Sequence, residues 1–276
     1  MQGKTVIITG GTSGIGEVAA LRLAEKGARI VFVARDKARA DAVLAKLNII
    51  SSVGHGYHLA DLFSLVEQKR VAAKIAAVEP HIDVLINNAG AFFETRGVTV
   101  DGLERTFALN HLAYFVITNG LLPRLKAGSR IISTSSYAHR MGKIDFDDLQ
   151  SQKRYKGFQV YGTTKLMNIL FTRELARQLE GTDISAFCLH PGFVATRFAD
   201  NNDGIMGKAF AFLKNLFAIS PEKGARTIIH LATVAGIENL SGTYWYKCEV
   251  ATATKSAQND EYARQLWVQS EKIVHG

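Results

Sequence analysis

Short runs rich in β-branched residues alternate along this chain with longer segments of helical periodicity. Because consecutive parallel strands need a crossover of a dozen or more residues, usually a helix, such alternation is typical of a doubly wound α/β fold. It predicts a mostly parallel seven-stranded sheet flanked by helices. The predicted strands are residues 4–9 (KTVIIT), 29–34 (RIVFVA), 55–60 (HGYHLA), 82–87 (IDVLIN), 129–136 (SRIISTSS), 183–190 (DISAFCLH) and 242–246 (GTYWY).

Helices are predicted between these strands from runs of helix-forming residues with apolar periodicity. One spans 17–27, a charged one follows the second strand, and a third ends near Val78. Four longer ones are expected at Val100–Lys126, Val160–Leu179, Pro221–Ala235 and Glu261–Val274. The sequence has no internal repeat and no linker rich in Pro, Gly or Ser, so residues 1–276 are predicted to form one domain.

Composition restricts the class of protein. With 47% hydrophobic and 21% charged residues over 276 positions, the chain can bury a large core and is predicted to be globular throughout. The formal charge of +8 permits an anionic partner, but Lys and Arg are scattered among Asp and Glu. The densest basic group, KRYK at 153–156, is short. We therefore predict a solvated basic surface and no nucleic-acid partner.

Targeting and cysteine patterns favour a cytosolic protein. No apolar run approaches the roughly 18 residues that a bilayer-spanning helix needs. The N-terminal stretch MQGKTVIITGG lacks the apolar region of a secretory signal. Cys188 and Cys248 lie far apart, without the Cys/His spacing of a zinc site. We predict a cytoplasmic protein with no membrane span, no disulfide and no metal.

The turn after the first strand is rich in glycine. In TGGTSGIG (9–16), glycines allow a tight turn and the close approach of a pyrophosphate. The helix that follows presents free N–H groups and the positive end of its dipole to such an anion. The spacing Gly10, Gly14, Gly16 differs from the GxGxxG pattern of many dinucleotide-binding folds. A phosphate-binding turn is predicted, with an ordinary strand-to-helix turn as the alternative.

The end of the second strand bears on the choice of cofactor. An acidic residue at that position accepts hydrogen bonds from ribose hydroxyls and favours NAD, whereas an arginine accommodates a 2′-phosphate. Here Ala34 occupies the strand end and Arg35 follows, which favours NADP(H) over NAD(H). Asp36 leaves the choice open, and a solvated charge at the start of a helix is the alternative interpretation of Arg35.

A tyrosine stands four residues before a lysine in YGTTK (161–165). Positions i and i+4 of a helix lie on one face, so the Tyr161 phenol and the Lys165 ammonium are predicted to be neighbours. Taken alone, the motif is short enough that an exposed surface pair is the simpler interpretation. The surrounding motifs must therefore decide whether the pair is functional.

Six features in their expected order resemble the short-chain dehydrogenase/reductase family over residues 9–197. They are TGxxxGIG, Asp61, NNAG at 87–90, Asn110, Ser136 with YxxxK, and Pro191-Gly192 followed by Thr196. The resemblance implies a single Rossmann domain with Ser136, Tyr161, Lys165 and Asn110 as catalytic residues. The cofactor contacts that it implies are Gly10, Thr12, Ser13, Gly14, Ile15, Gly16, Arg35, Asp61, Leu62, Asn88, Ala89, Gly90, Tyr161, Lys165, Pro191, Gly192, Val194 and Thr196.

Residues 136–176 and the C-terminal stretches SGTYWYKCE and RQLWVQSEKIV are similar to the retinol dehydrogenase-like branch of that family. This resemblance implies an NADP(H)-dependent enzyme that interconverts an alcohol and an aldehyde or ketone. It also implies a substrate lid at about 193–219, whose apolar residues favour an apolar substrate; packing on the core or on a partner subunit is the alternative for them.

The same resemblance bears on assembly and location. A homodimer or homotetramer built on the Val100–Lys126 and Val160–Leu179 helices is expected. Membrane-bound members carry an N-terminal hydrophobic anchor, whereas this sequence begins close to its first strand. We therefore expect a soluble protein, and retinoid specificity does not transfer directly from the membrane-bound members.

The resemblance assigns a role to each catalytic residue. A phenol with a pKa near 10 is a poor base at neutral pH. The Lys165 ammonium and an oxidised nicotinamide are expected to lower the pKa of Tyr161, so that it serves as general acid/base. A serine hydroxyl would donate to the substrate oxygen. The residues alone leave Ser133, Ser135 and Ser136 open, and the resemblance favours Ser136. Asn110 is implied to hold a water that links Lys165 to solvent.

Two alternative functions stay open. A reductase of an activated C=C bond is disfavoured because the cysteine-bearing pocket segments of such enzymes are not evident. A non-catalytic NADPH-binding regulator is disfavoured because Ser136, Tyr161 and Lys165 are all retained. His139 is interpreted as a loop histidine at the mouth of the pocket, and His190 as structural.

Overall fold

A single sheet forms the centre of the molecule. The computed structural model describes residues 1–194 and 219–276. Within them the strands are β1 (Thr5–Thr9), β2 (Arg29–Ala34), β3 (Gly56–Leu59), β4 (Ile82–Asn87), β5 (Leu125–Thr134), β6 (Ser185–Leu189), β7 (Tyr244–Tyr246) and β8 (Glu249–Val250). Their spatial order is β3-β2-β1-β4-β5-β6-β7-β8, and every neighbouring pair is parallel except β7–β8.

Helices cover both faces of this sheet. They are α1 (Gly14–Glu25), α2 (Lys37–Ile50), α3 (Leu65–Val78), α4 (Arg105–Phe107), a π-helical turn (Ala108–Leu112), α5 (Ala113–Leu121), α6 (Gly157–Gln178), α7 (Pro221–Thr233) and α8 (Asp260–His275). Among these described helices, none combines the length and apolar composition needed to cross a bilayer.

Strand alternation divides the core into two layers. Val6 and Ile8 of β1 pack with α1, α2 and α7, whereas Ile7 between them packs with α3, α5, α6 and α8. All three side chains are buried, because strands covered on both faces consist of continuous apolar residues rather than alternating ones. The α/β fold with a mostly parallel sheet, predicted from the sequence, is confirmed.

The sheet has one strand more than the seven predicted. The additional strand, β8, has only two residues, both exposed, and pairs antiparallel with β7 through a turn at Lys247 and Cys248. So short a polar segment carries no apolar periodicity from which a strand could be predicted.

The predicted helix Val100–Lys126 is shorter and irregular. It begins only at Arg105, because the Glu104 carboxylate accepts hydrogen bonds from the Thr106 and Phe107 amides at 2.9 and 2.7 Å and so caps the helix. Its middle widens into the π-helical turn, and α5 ends at Leu121, just before Pro123. Residues 125–126 then belong to β5 rather than to the helix.

The C-terminal helix α8 packs against α5 and α6. The Trp267 ring stacks on Phe171 with a centroid separation of 5.8 Å and meets Phe115 edge-on at 4.8 Å. The Ser270 hydroxyl donates to Leu266 O, so the buried His111 must donate from Nε2 to the Ser270 oxygen, 2.9 Å away. This helix therefore completes the core layer that contains the π-helical turn.

Candidate active site

The carboxyl ends of the central strands open into one large cleft. Its volume is about 1540 Å³, and it lies where the strand order reverses between β1 and β4, the position at which open α/β sheets bind ligands. All but three of the predicted site residues line it. Gly16 and Asn110 lie behind its wall, and Thr196 lies outside the described residues.

The glycine turn follows β1 at one end of the cleft. Gly10 has a φ of +70°, and a Cβ placed on it would lie 2.9 Å from the Ala89 Cα. Gly16 faces Gly10 O and the Asn88 amide, again with no room for a Cβ. Ser13 starts α1 but its side chain does not cap the helix, so the first-turn N–H groups stay available to an anion.

The Asn88–Gly90 segment is fastened to this turn by side-chain hydrogen bonds. The Thr9 hydroxyl oxygen accepts from the Asn88 and Ala89 amides at 2.9 and 3.1 Å. The Asn88 side chain donates in return to Thr9 O and Gly10 O at 3.2 and 3.3 Å. The ends of β1 and β4 therefore form one rigid wall of the cleft.

The end of β2 presents two arginines to the cleft. The Asp36 carboxylate also lines this part of the cleft; it caps α2, accepting from the Arg39 amide at 3.0 Å, and faces the Arg39 guanidinium at 3.7 Å. Arg35 lies 5.7 Å from the Phe63 ring centre, and both arginines line the cleft. Arg39, in the first turn of α2, is absent from the predicted site.

Asp61 and Leu62 follow β3 on the same side of the cleft. The Asp61 carboxylate accepts from the Phe63 amide at 3.2 Å, which orders the turn before α3. Leu62 is nearly buried, and its carbonyl accepts from Gln68 at 2.7 Å. Both residues are placed where the sequence predicts them.

Ser136 and Tyr161 come together at the other end of the cleft. Ser136 follows β5, and its hydroxyl oxygen accepts from the Ala138 amide at 3.2 Å. Tyr161 lies on α6, buried against Phe92. Burial raises the pKa of Tyr161 well above its usual range, and a hydrogen bond with Ser136 opposes the rise. The phenol is therefore protonated at neutral pH.

Lys165 lies one helical turn beyond Tyr161 and is also buried. Its Nζ donates to Thr134 O at 3.0 Å and lies 5.7 Å from the Tyr161 ring centre. Burial lowers the pKa of Lys165 to about 8. The sequence predicts that this ammonium lowers the Tyr161 pKa; in the protein without cofactor, burial has the larger effect on both groups.

Asn110 lies inside the π-helical turn and braces the loop after β4. Its side-chain oxygen accepts from Ala91 N at 2.9 Å, and its amide donates to Ala91 O and the Thr164 hydroxyl at 3.0 and 3.1 Å. Both N–H groups are therefore engaged in structural hydrogen bonds. The water that the resemblance assigns to Asn110 stays a prediction.

The neighbouring serines have other contacts. The Ser135 hydroxyl donates to Lys165 O at 2.7 Å, which ties β5 to α6. Ser133 is buried and does not line the cleft. Of the three serines, Ser136 is thus the one hydrogen-bonded to Tyr161.

Two histidines support the loops around the reaction centre. His139 is 1% exposed and so is not a loop residue at the mouth; its Nδ1 lies 2.7 Å from Ser136 O. His190 accepts from Gly192 N through Nδ1 at 3.2 Å, and its ring stacks on Tyr246 at 4.0 Å. Burial lowers the pKa of His190 to about 4, which keeps this acceptor neutral.

Aromatic and apolar residues outside the predicted site residues also line the cleft. They are Phe93, Val98, Val100, Tyr137, Met141, Phe158, Phe193, Tyr244 and Tyr246. They come from five separate segments and share no motif. Of the predicted lid at 193–219, only the ends are described: Val194 pairs with Ile219, and Ile219 N donates to Phe193 O at 2.8 Å.

Comparison with known proteins gives consistent matches. The short chain dehydrogenase family model matches residues 4–204. Human retinol dehydrogenase 14 is 39% identical over 292 residues, covering 99% of this chain and 87% of that protein. Human retinol dehydrogenase 11 is 37% identical over 272 residues, covering 97% and 84%. A Burkholderia cenocepacia short chain dehydrogenase solved in complex with NADP has a TM-score of 0.69 and 27% identity, covering 88% and 95%.

Proposed function

This chain belongs to the short-chain dehydrogenase family, and from that premise we propose that it is an NADP(H)-dependent oxidoreductase interconverting an alcohol and an aldehyde or ketone. The observation that carries the proposal is the convergence of Ser136, Tyr161 and Lys165 at one end of the cleft, with Arg35 and Arg39 at its other end. The first group suits proton transfer to an oxygen, and the second suits a phosphate.

The residues at the reaction centre supply the proton. Reduction of a carbonyl needs a hydride at carbon, which the nicotinamide provides when bound, and a proton at oxygen. The protonated Tyr161 phenol donates that proton, while the Ser136 hydroxyl donates a hydrogen bond to the same oxygen. In the oxidation direction Tyr161 takes the proton back. The Lys165 ammonium stabilises the phenolate and holds the ribose hydroxyls of the nicotinamide half.

NADP(H) is favoured over NAD(H) by charge at the end of β2. Two guanidiniums line this part of the cleft beside one carboxylate, that of Asp36, which caps α2 and faces Arg39. Arginine forms charge-assisted hydrogen bonds with phosphate oxygens, which suits a 2′-phosphate. The related Burkholderia protein was solved with NADP, which supports the same preference.

An apolar substrate of the retinol dehydrogenase kind is favoured by the rim of the cleft. Val98, Val100, Tyr137, Met141 and Phe158 are each more than a third exposed, and all line the cleft. Apolar residues clustered in this way mark ligand grooves or interaction sites more often than ordinary surface. The two human relatives are retinol dehydrogenases by name, which agrees with this class of substrate.

The alternative functions are not favoured. The human relatives named above are retinol dehydrogenases by name rather than reductases of a C=C bond, and a non-catalytic regulator does not require Ser136, Tyr161 and Lys165 to converge. We also propose that the protein assembles as a homodimer or homotetramer. Because α8 covers part of α5 and α6, only the uncovered faces of those two helices are available for such an interface. A cytosolic location is consistent with two free cysteines.

The test is turnover of apolar aldehydes and ketones with NADPH, by the native protein and by Tyr161→Phe. We expect kcat/KM to fall on the order of 1000-fold in the variant because the proton donor is lost, while the affinity for NADPH is kept. Tyr57→Phe is the matched control, since its hydroxyl serves only a surface contact with Asp41. Equal turnover in Tyr161→Phe and native protein would refute the assignment, and NADPH binding without any turnover would favour the regulator.

A further inference from the structure

Three donors from two helices meet at one main-chain oxygen, the Thr134 carbonyl at the end of β5. The Lys165 Nζ lies 3.0 Å from it, the Asn168 side-chain amide 3.2 Å and the Tyr114 hydroxyl 3.4 Å. Lys165 and Asn168 share one face of α6, and Tyr114 reaches across from α5. A carbonyl oxygen has two lone pairs, so three donors exceed what it can fully accept.

Asn168 and Tyr114 do not serve the cleft directly. Neither lines it, and their exposed fractions are 0% and 1%. The Asn168 side-chain oxygen is buried without a hydrogen-bond partner among the described residues, which costs stability that an isosteric leucine would not. The hydrogen bond to Thr134 O is the interaction that explains an amide at this position.

Of the three donors to Thr134 O, Lys165 is the one that can also contact a ligand in the cleft. Its ammonium carries three N–H groups and lines the cleft, so it reaches both the carbonyl behind it and a ligand in front. In the proposed function, this ammonium turns to the ribose hydroxyls of the cofactor. Leaving the buried Thr134 carbonyl without a donor costs free energy. That cost would oppose the movement of Lys165 from the carbonyl to the cofactor.

We propose that Asn168 and Tyr114 are positioning residues that keep the Thr134 carbonyl hydrogen-bonded, so that Lys165 can leave it for the cofactor at little cost. The inference rests on the proposed function, since it presumes that Lys165 contacts a nicotinamide ribose. Asn168 and Tyr114 act through Thr134 and Lys165, and neither touches the substrate.

The Thr134 carbonyl affects the pKa of Lys165, because the other groups that face the ammonium are neutral. The titratable groups that face it are Tyr114 on α5, Tyr161 on α6 and Cys188 on β6. Burial raises the pKa of all three, that of Cys188 to about 12, so they are neutral at pH 7. The Thr134 oxygen is thus the main polar acceptor for the ammonium. Any donor that shares this oxygen weakens its hold on Lys165.

The experiment compares Asn168→Leu and Tyr114→Phe with the native protein. Asn119→Leu is the control, since its amide also donates to a main-chain carbonyl, Phe115 O at 2.9 Å, but lies away from the cleft. We expect the dissociation constant of NADPH, followed by nicotinamide fluorescence, to rise about tenfold in each test variant. The control should bind as the native protein does.

A second readout needs no cofactor. The pKa of Lys165 is measured by NMR of ¹⁵N-labelled lysine side chains, with the signal assigned by its loss in Lys165→Arg. In Asn168→Leu the carbonyl oxygen is left to Lys165 and Tyr114, so we expect that pKa to rise above the native value. A merely structural role for Asn168 would lower stability without moving this pKa in the folded protein.

The outcomes separate the two proposals. If NADPH affinity and the Lys165 pKa both stay native in the variants, the positioning role is wrong. If the native protein itself does not bind NADPH, the proposed function is wrong, and the Lys165 pKa then decides the role of Asn168. Should Asn168→Leu fail to fold, Tyr114→Phe decides by both readouts, because it removes only a hydroxyl.

Discussion

The two ends of the cleft differ in the groups that line them: one presents mainly backbone and the other mainly side chains. The end formed by β1, β2 and β4 relies on backbone: glycines at Gly10 and Gly16, free helix N–H groups and main-chain carbonyls fastened by Asn88. The end formed by β5, β6 and β7 relies on side chains, with a buried phenol, a buried ammonium and two neutral imidazoles. The backbone groups of the first end suit a phosphate, which many ligands contain. The side chains of the second end differ in chemistry and come from separate segments of the chain.

The largest loss of NADPH affinity should come from a substitution in the backbone end of the cleft. Gly10→Ala places a Cβ 2.9 Å from Ala89 Cα at a φ of +70°, so the turn must shift and the phosphate-binding N–H groups with it. We expect NADPH affinity to fall about 100-fold, measured by fluorescence titration.

The control for that prediction is Gly128→Ala. Gly128 has a φ of +84° but nothing within 4 Å of its Cβ position, so it introduces the same backbone strain without the collision. If both variants bind NADPH as the native protein does, the turn does not form the phosphate site.

A smaller loss of NADPH affinity should follow when a positive charge is removed at the end of β2 and the backbone of the turn is left intact. Arg35→Ala and Arg39→Ala each remove a guanidinium from the cleft, and we expect NADPH to bind about 20-fold more weakly in each variant. NADH, which lacks the 2′-phosphate, should bind as before. Arg264→Ala, on the exposed face of α8, is the control. Equal losses for the two cofactors would contradict a role in NADP selectivity.

The core layer that α8 completes, behind the cleft, should make stability depend on pH. Burial lowers the pKa of His111 to about 3, far below its ordinary value near 6.5. Below pH 6.5 the unfolded chain therefore binds a proton that the folded protein excludes. The stabilisation is complete above pH 6.5 and is lost as the pH falls towards 3. This loss amounts to about 1.4 kcal/mol per pH unit once the unfolded histidine is protonated.

The measurement is denaturant unfolding at several pH values between 7 and 4.5. His55, His58, His139 and His190 also have lowered pKa values, so the native protein should lose stability along this range. His111→Gln should show a shallower slope even if it is less stable overall. The control His275→Gln, at the exposed end of α8, should keep the native slope. Identical slopes in all three would remove His111 as a cause.

The backbone end of the cleft could be predicted from the sequence because its determinants are local. The glycine turn and the Asn-Asn-Ala-Gly strand end each lie within a few residues, and both line this end of the cleft. The Tyr-x-x-x-Lys pair, at the other end, is equally local. Arg39 was missed because it lies among the charged residues of α2, and no motif distinguishes it from them. The shortened α4–α5 helix was missed because the cap at Glu104 is made by a side chain inside an apparently continuous helical pattern.

The side-chain end could not be predicted in the same way. His139 has the sequence context of a loop residue, and its burial results from strands β6 and β7 more than 40 residues away. The convergence of Tyr114, Asn168 and Lys165 on one carbonyl needs the register of α5 and α6 against β5, which no motif encodes. The apolar residues that line the cleft depend on the same long-range placement, and the predicted lid lies almost wholly outside the described residues.

The attachment of α8 has a consequence for biosynthesis. His111 lies beside Asn110 and is hydrogen-bonded to Ser270, which lies 159 residues further along the chain. Every other element of that core layer is translated before α8, so a growing chain exposes Phe115, Phe171 and the π-helical turn until residues 260–275 have left the ribosome. The strands β1, β2 and β4 that form one end of the cleft lie within the first ninety residues, whereas the core layer of α5 and α6 is complete only after α8 has been made.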